Sequence, residues 1–389
     1  MVGAGPAQAD GIEFARRCGC FVVALDRDAD APGLASADVG LVTDVTDVEK
    51  AIEAAREHRV DAALSIASEV CLPTVARVNR EVGLPGLSVE QVALATNKGA
   101  MRLRFEECGV PSIPFRVLLG EGDLEAAADE IGFPLVVKPA DNAGSRGVRL
   151  VDRADALPDG YATAKSFSRS GQVVVESFLA GPEVSVEAFV TDGEIVILTL
   201  SDKDRTPPPC LLDTAVRFPS AYPPDLQAKV KLLAERAIRC LGLDNCPIHM
   251  ELILGADGPR VVDLAARGPG FKVFTLMIPH VTGVNCVEAQ VVAALGEGPR
   301  IRPNDPLRGA CVRFFEGRNG RVSAVRGVDE GRAVPGVHEL EIYCRPGDET
   351  RRLTCGDDRV GHVIVLGNDR EAADRQAAAA YDKVAIEYE

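Results

Sequence analysis

The sequence predicts an α/β protein of several domains, and three stretches carry that reading. In the first 95 residues, short apolar runs at 21–25, 39–42 and 62–66 alternate with amphipathic runs at 8–18, 47–58 and 69–82. Strands that alternate with helices imply a parallel sheet with helical crossovers. Residues 133–151, FPLVVKPADNAGSRGVRLV, then read as an apolar strand, a glycine-containing loop and a second strand. Finally, 248–254 and 261–263 flank the turn Ala256-Asp257-Gly258, so Glu251 and Asp263 fall on neighbouring strands.

Composition bounds the function. A chain of 389 residues with 46% hydrophobic content has material for two to four domains. The net charge of −15 argues against nucleic acid and anionic membrane surfaces as partners. No apolar run is long enough to span a bilayer, and no secretory leader pattern is visible. The 11 cysteines show no zinc spacing and are expected to be reduced thiols of a cytoplasmic protein. Only nine of the 43 basic residues are lysine, which draws notice to Lys98, Lys138, Lys203 and Lys272.

The opening, VGAGPAQADG, places Gly3 and Gly5 in a tight turn before a helix, where a packing role suffices. Only Met1 and Val2 precede Gly3, so the first strand is either very short or begins upstream of this start. In the 133–151 hairpin, the first strand delivers Lys138 at its end, and Pro139, with no N–H to donate, stops the ladder. Gly144, Ser145, Arg146 and Gly147 follow in a loop longer than a hairpin requires. Glycines let backbone N–H groups approach an anion closely, and Ser145 and Arg146 add donors.

Downstream lie VVVESFLAGPEVSVEAFV at 173–190, HMELIL at 249–254 and VVDLAARGPG at 261–270. With the hairpin, these four elements in this order resemble the ATP-grasp superfamily over essentially the whole chain. The resemblance is nearest to the carboxylate–amine ligases that join amino acids. It is more distant to biotin-carboxylase-like, carbamoyl-phosphate-synthase-like and purine-synthesis members.

That resemblance implies a Rossmann-like pre-ATP-grasp domain at 1–95, an ATP-grasp domain at 96–306 with a mobile lid at about 110–175, and a small α+β domain at 307–389. It implies ATP and Mg2+ as cofactors. Lys98, Lys138, Ser145 and Gly147 would address the phosphates. The backbone of Glu176, Ser177, Phe178 and Leu179 would read adenine, and Glu183 the ribose hydroxyls. Glu251 and Asp263 would hold magnesium, a hard cation that prefers oxygen ligands. Arg267, with Lys138, would be catalytic, steadying charge on the phosphoryl group and the tetrahedral intermediate. Lys203 and Arg205, in an irregular segment at 201–224 containing Pro207 to Pro209, would meet an anionic substrate group, beside Arg267, Gly268 and Gly270.

The chain departs from the common Glu-x-Asn-x-Arg pattern, reading Asp263-Leu264-Ala265-Ala266-Arg267. Ala265 offers no oxygen where asparagine would, which leaves a second magnesium without that ligand. The expected reaction is ATP-dependent joining of a small carboxylate to an amine through an acyl phosphate, on amino acids, in the cytoplasm, with a homodimer as one assembly. The alternatives are a bicarbonate-activating or purine-pathway ligase, and a nucleotide-binding homologue without catalysis.

Overall fold

The computed structural model describes residues 1–389, and its architecture follows from where glycines, prolines and alternating apolar positions fall. In the first region β1 (Val23–Asp26) pairs in parallel with β2 (Val39–Val42). Ahead of the first helix Val2 alone bridges Leu25, and its N–H donates to Leu64 O at 2.9 Å. Residues 62–66, expected as a strand, form no ladder. Helices Pro6–Arg17, Val48–Glu57 and Leu72–Val82 pack around this small sheet, burying Ile12, Ala51, Ile52 and Val75.

A four-stranded antiparallel sheet follows, in the order β3 (Phe115–Leu118), β6 (Val173–Ser177), β4 (Leu135–Pro139), β5 (Arg149–Val151). Successive side chains of a strand point to opposite faces. Leu135 and Val137 therefore enter a core with Leu118, Leu124, Leu157, Tyr161, Val173 and Val175 under helices Leu124–Ile131 and Leu157–Phe167. Val136 and Lys138 face the other way, into the main cavity.

The central sheet has eight strands. They are β7 (Glu183–Thr191), β8 (Glu194–Arg205), β9 (Asp213–Phe218), β10 (Cys246–Gly255), β11 (Gly258–Ala265), β12 (Gly309–Glu316), β14 (Val337–Ile342) and β16 (Arg359–Gly367). Their order is β11-β10-β7-β8-β9-β12-β16-β14. Helix Pro224–Leu241 covers one face through Val230, Leu233, Ala237, Ile238 and Leu241. β13 (Gly320–Arg326), β15 (Glu349–Thr350) and β17 (Ala385–Tyr388) form a small separate sheet.

Two further expectations are corrected. The irregular stretch at 201–224 is shorter: Ser201 to Arg205 extend β8, Asp213–Phe218 is β9, and 206–212 is the loop between them. The last helix, Arg370–Tyr381, is followed by a return of the chain as β17 against β13. The thiols are not all reduced: a disulfide joins Cys108, just past helix Lys98–Glu107, to Cys240 in helix Pro224–Leu241.

Candidate active site

A cavity of about 320 Å³ lies between the four-stranded sheet and the central sheet, and the start of β16 also reaches it. Its walls are built by strand ends, which is where polar side chains escape the apolar core.

On the lid side, Lys138 Nζ sits 2.5 Å from Glu176 Oε1. Arg102 Nη2, from helix Lys98–Glu107, lies 3.2 Å from the other oxygen of Glu176 and donates to Val262 O at 2.5 Å. Lys138, Glu176 and Arg102 are 4%, 2% and 1% exposed, so one buried carboxylate serves two buried cations. Burial pushes the Lys138 ammonium below the usual lysine range; Glu176 offsets part of that, while Arg102 and Lys98 add to it. Burial also opposes the charge on Glu176, but Lys138 and Arg102 together hold its carboxyl below the usual range. The two directions differ because the acid has two partners and the lysine shares one. The cluster is an unbalanced positive charge that a bound anion would relieve.

The hairpin loop beside it takes left-handed backbone at Gly144 (φ +69°), Ser145 (φ +57°) and Gly147 (φ +77°). A side chain at Gly147 would also meet Phe167 at 2.7 Å, so this position needs glycine twice over. At the hinge, the N–H groups of Ser177 and Phe178 donate to Pro114 O and Pro134 O, whereas Leu179 N–H has no protein acceptor.

Across the cavity the register of β10 places Glu251 opposite Asp263 on β11 and Ser185 on β7. The next row on the same face is Glu187, His249, Ala265. Each acid has a lysine. Lys98 Nζ is 2.7 Å from Asp263 Oδ2; burial opposes its charge, but Asp263 and Glu69 outweigh that and hold the ammonium above its usual range. Lys203 bonds Glu251, and reaches Glu183 at 2.8 Å and Asp213 at 3.3 Å. Burial works against the Lys203 ammonium, yet Asp213, Glu183 and Glu251 keep it well above the ordinary range. Within this cluster burial pushes Glu183 up; burial also opposes the charge on Glu251, but Lys203 and His249 outweigh it and hold that carboxyl well down. Arg205 pairs with Glu183 at 2.6 Å and grips the 206–212 loop through Leu211 O. Lys203 and Arg205 are thus strand residues among carboxylates rather than loop cations in solvent.

His249 Nδ1 lies 2.9 Å from Glu187 Oε1, and its Nε2 is 3.7 Å from Glu251. Burial disfavours the imidazolium, but Glu187 and Glu251 push its pKa up to about 9. Arg267 donates to Gly268 O at 3.0 Å and approaches Glu69 at 3.4 Å, while its Nε is buried without a partner. Gly268 leaves no room for a side chain: a Cβ there would lie 2.1 Å from the Phe274 ring.

All the sequence-predicted site residues except Gly147, Lys203 and Gly268 line this one cavity, with Lys203 buried against Glu251 beside it. The sequence reading missed Glu69, Arg102, Asp213 and Arg359. Glu69 comes from the first region, 198 positions before its partner Arg267, and no local pattern announces such a contact. Arg102 follows Lys98 by four positions, one helical turn, which is the signal that was available.

Residues 131–271 match the family model of an ATP-grasp domain, and residues 313–389 match that of L-amino acid ligase C-terminal domain 2. The middle of the chain is thus an ATP-grasp domain. An uncharacterized protein of Sinorhizobium fredii is 28% identical over 317 residues, 80% of this chain and 65% of that one. A formate-dependent phosphoribosylglycinamide formyltransferase of a Synechococcus strain is 31% identical over 211 residues, 52% of this chain and 50% of that one. The alanine–anticapsin ligase of Bacillus subtilis is 28% identical over 260 residues, 61% and 54%. The chain therefore spans about half to two thirds of the length of these relatives. Among solved structures, an L-amino acid ligase from Bacillus licheniformis superposes with a TM-score of 0.83 at 23% identity, covering 97% of this chain and 95% of that one, a likeness of fold.

Proposed function

We propose that the chain is an ATP-dependent carboxylate–amine ligase acting on amino acids and releasing ADP and phosphate. One observation carries this reading. A single cavity joins a positively unbalanced lid cluster and a glycine loop to a facing pair of acids and to Arg267. Phosphoryl transfer asks a protein mainly for positioning and for charge neutralisation, and this cavity offers both.

In this reading Lys138, Lys98 and the Ser145 to Gly147 loop hold the terminal phosphates of ATP. The free Leu179 N–H faces the adenine. A substrate carboxylate oxygen attacks the γ-phosphorus, the bridging P–O bond breaks, and ADP leaves with its electron pair. The amine then attacks the acyl carbon of the acyl phosphate, loses a proton, and expels inorganic phosphate. Arg267, with its Nε unpartnered, receives the negative charge that develops on the carbonyl oxygen. Glu251 and Asp263 are hard oxygen donors facing each other across a strand pair, and they fit Mg2+. When bound there, the ion would neutralise phosphate charge. Glu183 and Asp213 sit within reach of Glu251 and make the acidic wall continuous.

No helix is long and apolar enough to cross a membrane. We place the protein in the cytoplasm, where its ATP is supplied. The Cys108–Cys240 disulfide is the feature that runs against this placement.

A screen of L-amino acid pairs for phosphate release tests the reading. Release that requires both members of a pair supports it. Release with formate and no amino acid would instead favour the chemistry named for the Synechococcus relative. Tight ATP binding with no release under any condition would leave only a nucleotide-binding protein.

A further inference from the structure

Most cations that line the cavity are already matched. Lys98, Lys138, Arg205, His249 and Arg267 each sit against a carboxylate. Arg146 and Arg359 line the same cavity without one. Arg146 belongs to the lid loop, beside the phosphate cluster. Arg359 stands on the other wall, at the start of β16, within the stretch that matches the L-amino acid ligase C-terminal domain 2.

Arg359 is held in place by neutral groups. Its Nη2 donates to Asp213 O at 2.7 Å, and its guanidinium carbon stacks 3.6 Å from the centre of the Phe314 ring. Its Nε is buried with no partner. A half-buried guanidinium with unused donors and no ion-paired acid is costly to keep charged, and its planar fork suits a carboxylate. Its place relative to the chemistry follows from contacts: Asp213, whose carbonyl it holds, pairs with Lys203, and Lys203 pairs with Glu251.

We propose that Arg359 binds a second, non-reacting carboxylate of the substrates: the free α-carboxylate of the amino acid that supplies the amine. The assignment rests on the ligase reading above. The reacting carboxylate must meet the γ-phosphate beside Lys138 and Arg267, so it is not available to Arg359. An amine partner that carries its own carboxylate supplies the missing counter-charge, and the product is then a peptide with a free C-terminus rather than a simple amide.

The test compares each amino acid with its own carboxamide in the amine role, in wild type, Arg359→Gln and Arg359→Lys. Wild type should prefer the acid over the carboxamide by about 10²-fold or more in kcat/KM, because the carboxamide leaves the guanidinium unpaired. Arg359→Gln should lose that preference while KM for ATP stays within about twofold of wild type, and Arg359→Lys should keep part of it. Equal use of acid and carboxamide by wild type, or an unchanged preference in Arg359→Gln, overturns the assignment. Discrimination between aspartate and asparagine in the acid role, abolished by Arg359→Gln, would give the carboxylate to the acid and also overturn it. Failure of every pair to release phosphate counts against the ligase reading alone. In that event melting temperature decides: with MgADP, a panel of dipeptides should raise it where their C-terminal carboxamides do not, and Arg359→Gln should remove the difference. Equal shifts from both sets, or none, would reject Arg359 as a carboxylate site.

Discussion

Glu176 shows how much one buried carboxylate organises. It accepts from Lys138 and Arg102 at once, so neutralising Lys138 removes charge from the phosphate side while leaving the Arg102 pair intact. Lys138→Ala should therefore abolish turnover and preserve the fold by circular dichroism; near-normal turnover would take the hairpin out of the mechanism. For Arg267, charge that develops only during reaction implies a kcat effect. Arg267→Ala should lower kcat by about 10²-fold or more with little change in KM for ATP. A change confined to KM would assign it to ground-state binding. Ala265 faces His249 across the strand pair, in the row next to Glu251 and Asp263. Ala265→Asn should tighten magnesium in a calorimetric titration without abolishing activity. Full activity in the absence of any divalent ion would remove the metal assignment for Glu251 and Asp263.

At the scale of elements, the hairpin loop and the long helices carry the constraints. Gly147→Ala strains a left-handed backbone position and drives a methyl into Phe167. It should raise KM for ATP several-fold while leaving the 149–151 strand in place, as read by nucleotide titration. The Cys108–Cys240 bond closes 132 residues of chain, which in the loop-entropy picture contributes a few kcal/mol. A reductant should thus lower the melting temperature of wild type and not that of Cys108→Ser. This bond was not legible in a sequence of 11 scattered cysteines, because the pairing is made by the docking of two helices. β9 was hidden for a local reason: Pro207 to Pro209 break the pattern just ahead of the short alternation in Asp213–Phe218. By contrast, the glycine hairpin, Lys98, and the Glu251 and Asp263 pair were legible. Their signals are local, being a strand end, a helix start and a turn.

For the whole molecule, the decisive feature is a sheet that does not stop at the end of the ATP-grasp core. β9 is hydrogen-bonded to β12, and β12 to β16, so the C-terminal strands continue the central sheet rather than forming an appended module. Removing residues 307–389 would bare the β9 edge and the apolar face of Phe218, Phe274 and Ile278. That truncation should be insoluble or unfolded by circular dichroism; a soluble product with the native melting temperature would contradict the continuous sheet as a folding unit. The same continuity brings Arg359 to the cavity that Lys138 enters from the lid and Glu69 supports from the first region.

The most direct test is to trap the activated carboxylate. The protein is mixed with ATP, magnesium and the amino acid that supports turnover, with hydroxylamine in place of the amine, and the nucleotide and acyl products are measured together. Attack at the γ-phosphorus predicts ADP, phosphate and an amino-acid hydroxamate in equal amounts. Release of AMP and pyrophosphate with that acid would contradict the acyl-phosphate mechanism, whatever the fold.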